Sequence, residues 1–180
     1  MSNIKRINRE LKYSGSILDI YSDTMEFSNG NTENWDYVAH RKGAAAVVPV
    51  LPNGKILLVR QERPAIERVT LEIPAGCRDS LDELTNVCAA RELEEETGYK
   101  SCKLEYLCSI ATTVAFCNEM IDIYVATDLV PSKQRLDANE FVDVLEYSID
   151  EITDMILSGE IVDSKTMGAL LAYKEKYVNR

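Results

Sequence analysis

Glu92, Glu95 and Glu96 lie within five consecutive residues. Placed on a helix at roughly 100° per residue with Leu84 at zero, they fall near 80°, 20° and 120°, an arc of about 100°. Cys88 falls near 40° within that arc and Ala89 near 140° just beyond it, whereas Glu94 lies near 280°, on a different face. Carboxylates interleaved with small apolar residues are partly buried and repel one another. Like charges at i,i+3 and i,i+4 destabilise a helix unless something compensates. Arg91 can neutralise one of them, and a divalent cation is a natural partner for the rest. Glu92 and Glu96, one turn apart, can grip the same hard ion; Mg2+ and Mn2+ take such oxygen ligands and keep waters for substrate phosphates. The competing reading is an acid-rich surface helix kept soluble by its charge.

The elements that must position these residues can be read from pattern. The spacing predicts a helix over 81–97, with Ser80 and Glu83 as a capping box and Gly98 as its C-terminal stop. Upstream, alternating Ser16-Ile17-Leu18-Asp19-Ile20-Tyr21 and the turn residues Ser28-Asn29-Gly30-Asn31 suggest a small N-terminal β unit over 1–42. The apolar runs 44–50 and 55–60 flank Asn53-Gly54, which predicts a hairpin feeding a buried sheet. Strands are expected at 103–113, 121–127 and 141–147. A second capping box, Ser148 with Glu151, opens a short helix ending near Gly159, and Asp163 can cap the last one. Strands on both sides of a central helix, with helices at the end, predict an α+β fold, an α/β/α sandwich over 43–180.

Composition narrows the chemistry. The 180 residues carry a net charge of −10, and two stretches hold more than all of it. Asp82–Glu96 has six acids and one base; Asp137–Asp154 has seven acids and no base. Acidity argues against a nucleic-acid partner, since phosphate backbones are met by Lys and Arg. No apolar run reaches the roughly 18–20 residues of a membrane helix. Five cysteines without a C-x-x-C pair suggest reduced thiols in a cytoplasmic protein, read here as small core residues. The lone histidine, His40, leaves little room for zinc or for Ser-His-Asp chemistry and reads as an ordinary polar residue.

The string Arg91-Glu92-Leu93-Glu94-Glu95-Glu96-Thr97-Gly98-Tyr99 resembles the core of the Nudix box, G-x5-E-x7-R-E-U-x-E-E-x-G-U, where U is bulky and apolar. Glu83 stands at the required interval before Arg91, whereas Gly76 is one residue too far upstream. Leu71-Glu72-Ile73-Pro74-Ala75-Gly76, Val59-Arg60-Gln61-Glu62-Arg63 and Ser158–Thr166 are similar to motifs of the branch that hydrolyses ADP-ribose and nucleoside diphosphate sugars. This resemblance implies a Nudix fold with a mixed sheet between helices, and a homodimer formed through the N-terminal unit.

It also implies Mg2+, with Mn2+ possible, held by Glu92, Glu95, Glu96, the Ala75 carbonyl and Glu140. The implied reaction is hydrolysis of a nucleoside diphosphate sugar resembling ADP-ribose to a nucleoside monophosphate and a sugar phosphate. GDP-mannose or a dinucleotide is the alternative substrate, and a non-catalytic nucleotide-sugar sensor the alternative of another class. Arg63 could clamp the pyrophosphate or pair with Glu62, Glu67 or Glu72. Glu72 could meet the base or a neighbouring strand, and Trp35, with Tyr37, could stack on the base or pack the N-terminal strands. Glu83, Arg91, Gly76 and Gly98 read as structural. Two departures stand out: Ala138 replaces a Glu proposed as general base, and Val114-Ala115 replaces a Pro-Gly of members acting on ADP-ribose.

Overall fold

A computed structural model describes residues 3–136, 138–139 and 141–179. The chain divides into two compact units, Met1–Gly43 with Ala111–Met120, and Ala44–Ile110 with Ile121–Arg180. The first contains an antiparallel sheet ordered β1 (Ile4–Ser14), β2 (Leu18–Phe27), β3 (Thr32–His40). Segment 111–120 joins it through β3: Val38 N–H donates to the Phe116 carbonyl at 2.7 Å, and Asn118 Oδ1 accepts from the His40 N–H at 2.7 Å.

The second unit is built on β4 (Ala44–Pro49), whose six residues are all buried. Ala44, Ala46 and Val48 pack in one core with Ile152, Ile156, Ala169 and Leu170, while Ala45 and Val47 pack in another with Cys88, Ala89 and Leu93. A strand buried on both faces reads as a continuous apolar run because successive side chains alternate between two cores. Further along come β5 (Ile56–Arg63), β6 (Arg68–Glu72), β7 (Ala75–Cys77) and α1 (Thr85–Thr97). They are followed by β8 (Tyr99–Lys100), β9 (Lys103–Ala111), β10 (Met120–Thr127), β11 (Val130–Pro131) and β12 (Asp143–Tyr147). Helices α2 (Ile149–Ser158) and α3 (Ser164–Tyr173) close the unit. Helix α1 covers one face of the sheet and α2 with α3 the other, the expected α+β sandwich with a mixed sheet.

Two expectations fail locally. Asn53-Gly54 does sit in a turn, closed by Leu51 N–H to the Lys55 carbonyl at 2.8 Å, but β4 and β5 do not form a ladder among the described residues, and an isolated bridge, Val50–Ile56, follows β4. Both edges of β4 are taken, by β10 in parallel and β7 in antiparallel, so β5 pairs instead with β6 and β12. The acidic helix starts at Thr85 and not at 81, with Leu84 as an N-cap that makes no side-chain hydrogen bond. Ser80 does not cap the helix: its Oγ accepts from the Asp82 N–H at 3.3 Å, and Arg78 donates to the carbonyls of Leu81 and Glu83 and holds 78–83 as a loop. The second capping box forms as expected, with Ser148 Oγ accepting from the Glu151 N–H at 3.3 Å and Glu151 Oε2 from the Ser148 N–H at 2.7 Å.

Candidate active site

On α1, Glu92 and Glu96 are buried and Glu95 half-buried, the arrangement expected of acids interleaved with Cys88 and Ala89. Arg91 binds three of the motif's acids at once. Its Nη1 donates to Glu92 Oε1 at 2.6 Å and to Glu95 Oε2 at 2.9 Å, and its Nε to Glu83 Oε1 at 3.1 Å. Nη2 adds the Cys77 carbonyl at 3.0 Å, fastening the loop before the helix to the helix itself. Burial pulls the Arg91 pKa down, but Glu83, Glu92 and Glu95 outweigh it, so the guanidinium stays charged. Glu83 is held below the usual carboxylate range, chiefly by its bond to Arg91.

The third acid is tied to the strand below. Ala75 N–H donates to Glu96 Oε2 at 3.1 Å. Next to it, a Cβ on Gly76 would lie 2.2 Å from Glu92 Oε1, so only glycine lets β7 pass beneath that carboxylate. The far end of α1 is closed by Gly98 with φ of 72°, and residues 132–135 cover the last turn. Arg135 N–H donates to the Glu95 carbonyl at 2.9 Å and Gln134 Nε2 to the Glu96 carbonyl at 2.7 Å, satisfying groups a helix end leaves open. Glu94, on the different face read from the sequence, binds Lys100 at 3.0 Å, Arg135 at 3.1 Å and Ser132 Oγ at 2.7 Å.

A second cluster joins β5, β6 and α3. Arg63 donates to Glu72 from Nε and Nη2, each at 2.7 Å. Glu72, 2% exposed, also accepts from Thr70 Oγ1 at 2.6 Å and from Lys165 Nζ. Burial would raise its pKa, but Arg63, Lys165 and Thr70 together lower it to about 2. Lys165 bonds Asp163 as well, at 2.8 Å, and Thr166 Oγ1 accepts from the Ile73 N–H at 2.9 Å. Lys165 and Thr166 lie in the C-terminal stretch matched above, but that match gave them no role. A buried lysine in the first turn of an apolar helix was the signal that something charged must face it.

Trp35 belongs to the first unit, 41% exposed, edge-on to Phe27. It lines a cleft of about 640 Å³ with Ile20, Asn34, Val38, Ala115 and Phe116. Tyr37 instead carries the Arg9 guanidinium 3.9 Å from its ring centre. His40 Nδ1 accepts from the Gly43 N–H at 3.0 Å. Glu140 lies outside the described residues. Of the cysteines, Cys88 is buried, its thiol pushed up to about 12 chiefly by that burial, but Cys77 and Cys102 are exposed, against the expectation of core residues.

Among the described residues no group of three or more His, Cys, Asp or Glu is arranged to hold a metal ion. Glu92 and Glu95 turn to Arg91 and Glu96 to the Ala75 N–H. The donor set nevertheless fits a hard divalent cation: it is all carboxylate oxygen, on one helix face, beside a glycine whose missing side chain leaves the carboxylate room.

The sequence matches the NUDIX domain family over residues 40–167. It is 37% identical over 168 residues to an ADP-ribose pyrophosphatase of Bacillus subtilis (strain 168), covering 92% of this chain and 90% of that one. Over the same shares it is 39% identical to a methanol dehydrogenase activator of Bacillus methanolicus. A crystal structure of an ADP compounds hydrolase superposes with a TM-score of 0.87 at 22% identity, covering 97% of this chain and 94% of the other, which establishes the fold.

Proposed function

The chain belongs to the NUDIX domain family, and on that premise we propose that it hydrolyses the pyrophosphate bond of an ADP-ribose-like nucleoside diphosphate sugar. The products are a nucleoside monophosphate and a sugar phosphate. The observation that carries this reading is the acidic face of α1, where Glu92, Glu95 and Glu96 converge with Arg91 and the Gly76 backbone.

Hydrolases of this family generally need a divalent metal, and Mg2+ is our assignment, with Mn2+ as a substitute. Glu92, Glu95, Glu96 and Glu140, with the Ala75 carbonyl, would hold it. When bound, such an ion neutralises pyrophosphate charge and activates a water. Arg91 sets a positive charge against Glu92 and Glu95 and fixes their directions. Arg63, held by Glu72, has donors left for phosphate oxygens. Water attacks one phosphorus as the bridging P–O bond breaks, and the other phosphate leaves. This chemistry rests on positioning and charge, with no nucleophilic side chain. Trp35 offers an exposed ring for stacking on the base. Residues 1–42 form the dimerising unit, supported by exposed Ile7, Leu11 and Tyr13 on β1, and five free cysteines support a cytoplasmic setting.

The test is a panel of ADP-ribose, GDP-mannose, other sugar nucleotides and dinucleotides, each with Mg2+, Mn2+ or chelator. Metal-dependent release of AMP from ADP-ribose is expected; no turnover across the panel would sink the reading. Val114-Ala115, in place of Pro-Gly, favours a second reading in which another diphosphate is turned over best. Ranking kcat/KM across the same panel decides it.

A further inference from the structure

We propose that Lys165 is a positioning residue that fixes the Arg63 guanidinium, acting through Glu72. The inference rests on the reading that Arg63 contacts the substrate pyrophosphate. Among the described residues Glu72 is hydrogen-bonded to both cations, and each of its oxygens accepts two bonds. Oε1 accepts from Arg63 Nε at 2.7 Å and Thr70 Oγ1 at 2.6 Å, while Oε2 accepts from Arg63 Nη2 at 2.7 Å and Lys165 Nζ. Arg63 bonds both carboxylate oxygens two-pronged, so whatever fixes the carboxylate fixes the guanidinium. Two donors fix it from the far side, one on the same strand and one, Lys165, 93 residues away in the chain.

Lys165 is itself held. Its side chain is 10% exposed and its ammonium also bonds Asp163 Oδ2 at 2.8 Å. Asp163 accepts from the Thr166 N–H at 3.0 Å, and Thr166 Oγ1 grips the Ile73 N–H at 2.9 Å, one residue beyond Glu72. The first turn of α3 thus holds β6 by side chain at Glu72 and by backbone at Ile73. At the other end Arg63 is 43% exposed, its Nη1 makes no hydrogen bond within the protein among the described residues, and its charge lies within electrostatic reach of Glu96. A half-exposed cation with free donors, fixed from behind, is prepared for an anion before that anion arrives.

The experiment is a double-mutant cycle in the full chain with Lys165→Met, Arg63→Ala and the pair. Lys165→Gln, which can still donate to Glu72, is measured beside it and should stay near wild type in both readouts; if Lys165→Met does not fold, Lys165→Ala takes its place. Two readouts are taken: steady-state kinetics on the best substrate of the panel, and calorimetric binding of inorganic pyrophosphate with Mg2+. Lys165→Met is expected to raise KM about tenfold with kcat within about twofold of wild type, and to weaken pyrophosphate binding to the same degree. In the Arg63→Ala background it should do nothing further to either. Multiplicative losses, or an unchanged KM and pyrophosphate affinity, overturn the proposal, and a change confined to the melting temperature does too. A wild type that hydrolyses nothing, yet shows the non-additive pyrophosphate pattern, overturns the hydrolase reading and leaves the role of Lys165 standing.

Discussion

Replacing Glu96 by Gln removes a charge but keeps an acceptor for the Ala75 N–H, so it separates metal chemistry from architecture. We expect kcat to fall by about 10²–10³-fold with little change in melting temperature. Gly76→Ala acts at the opposite wall. Its Cβ would meet Glu92 Oε1 at 2.2 Å, and that carboxylate is pinned by Arg91 and cannot swing aside freely. Activity should drop more than about tenfold, because small displacements at a reacting centre are expensive; a variant as active as wild type contradicts this placement of Glu92. Glu72 makes a prediction about pH. Its folded pKa is depressed from 4.5 to about 2, so its contribution is present above about pH 4.5 and is lost as pH falls through that window. The loss is on the order of 3 kcal/mol. Urea melts from pH 6 to pH 2 should show it in wild type and lose that component in Glu72→Gln.

At the scale of elements, two Ser-x-x-Glu strings look alike and behave differently. Ser148→Ala should destabilise the protein by about 1 kcal/mol, whereas Ser80→Ala should stay within about 0.5 kcal/mol. Thermal melts of the two variants side by side check it. The contrast also shows what a string can tell. The second box lies between a strand and an amphipathic helix and forms from its own four residues, so local preference decides. Around Ser80, Arg78 supplies two donors to carbonyls the helix would have used, and no window of residues 80–83 contains that information. The acidic face of α1 was legible because a helical period of 3.6 needs only residues of the same helix. The Lys165–Glu72–Arg63 chain was not, because it joins three elements. Arg63 could be narrowed only to three possible acidic partners, and tertiary packing chose Glu72. The Asn53-Gly54 turn was legible, but the fate of its flanking strands depended on which neighbours claimed the edges of β4.

At the scale of the whole molecule, the net charge of −10 resolves into local assignments. Glu83, Glu92 and Glu95 are countered by Arg91, and Glu94 by Lys100 and Arg135. An acidic chain can meet an anionic substrate where its carboxylates are paired with a base or directed at a cation. For the proposed homodimer, light scattering on the eluting protein should give twice the 20.3 kDa of one chain. A single-chain mass at all concentrations removes the dimer from the proposal. The central strand sets a condition on biosynthesis. Ala44 pairs with Ile121, so β4 leaves the ribosome long before its parallel neighbour exists. Until β10 is made, a nascent chain carries six consecutive residues with no polar face and one bare edge, open to pairing with another chain. Premature termination in the stretch between these two strands thus yields a sticky fragment and not a smaller working domain.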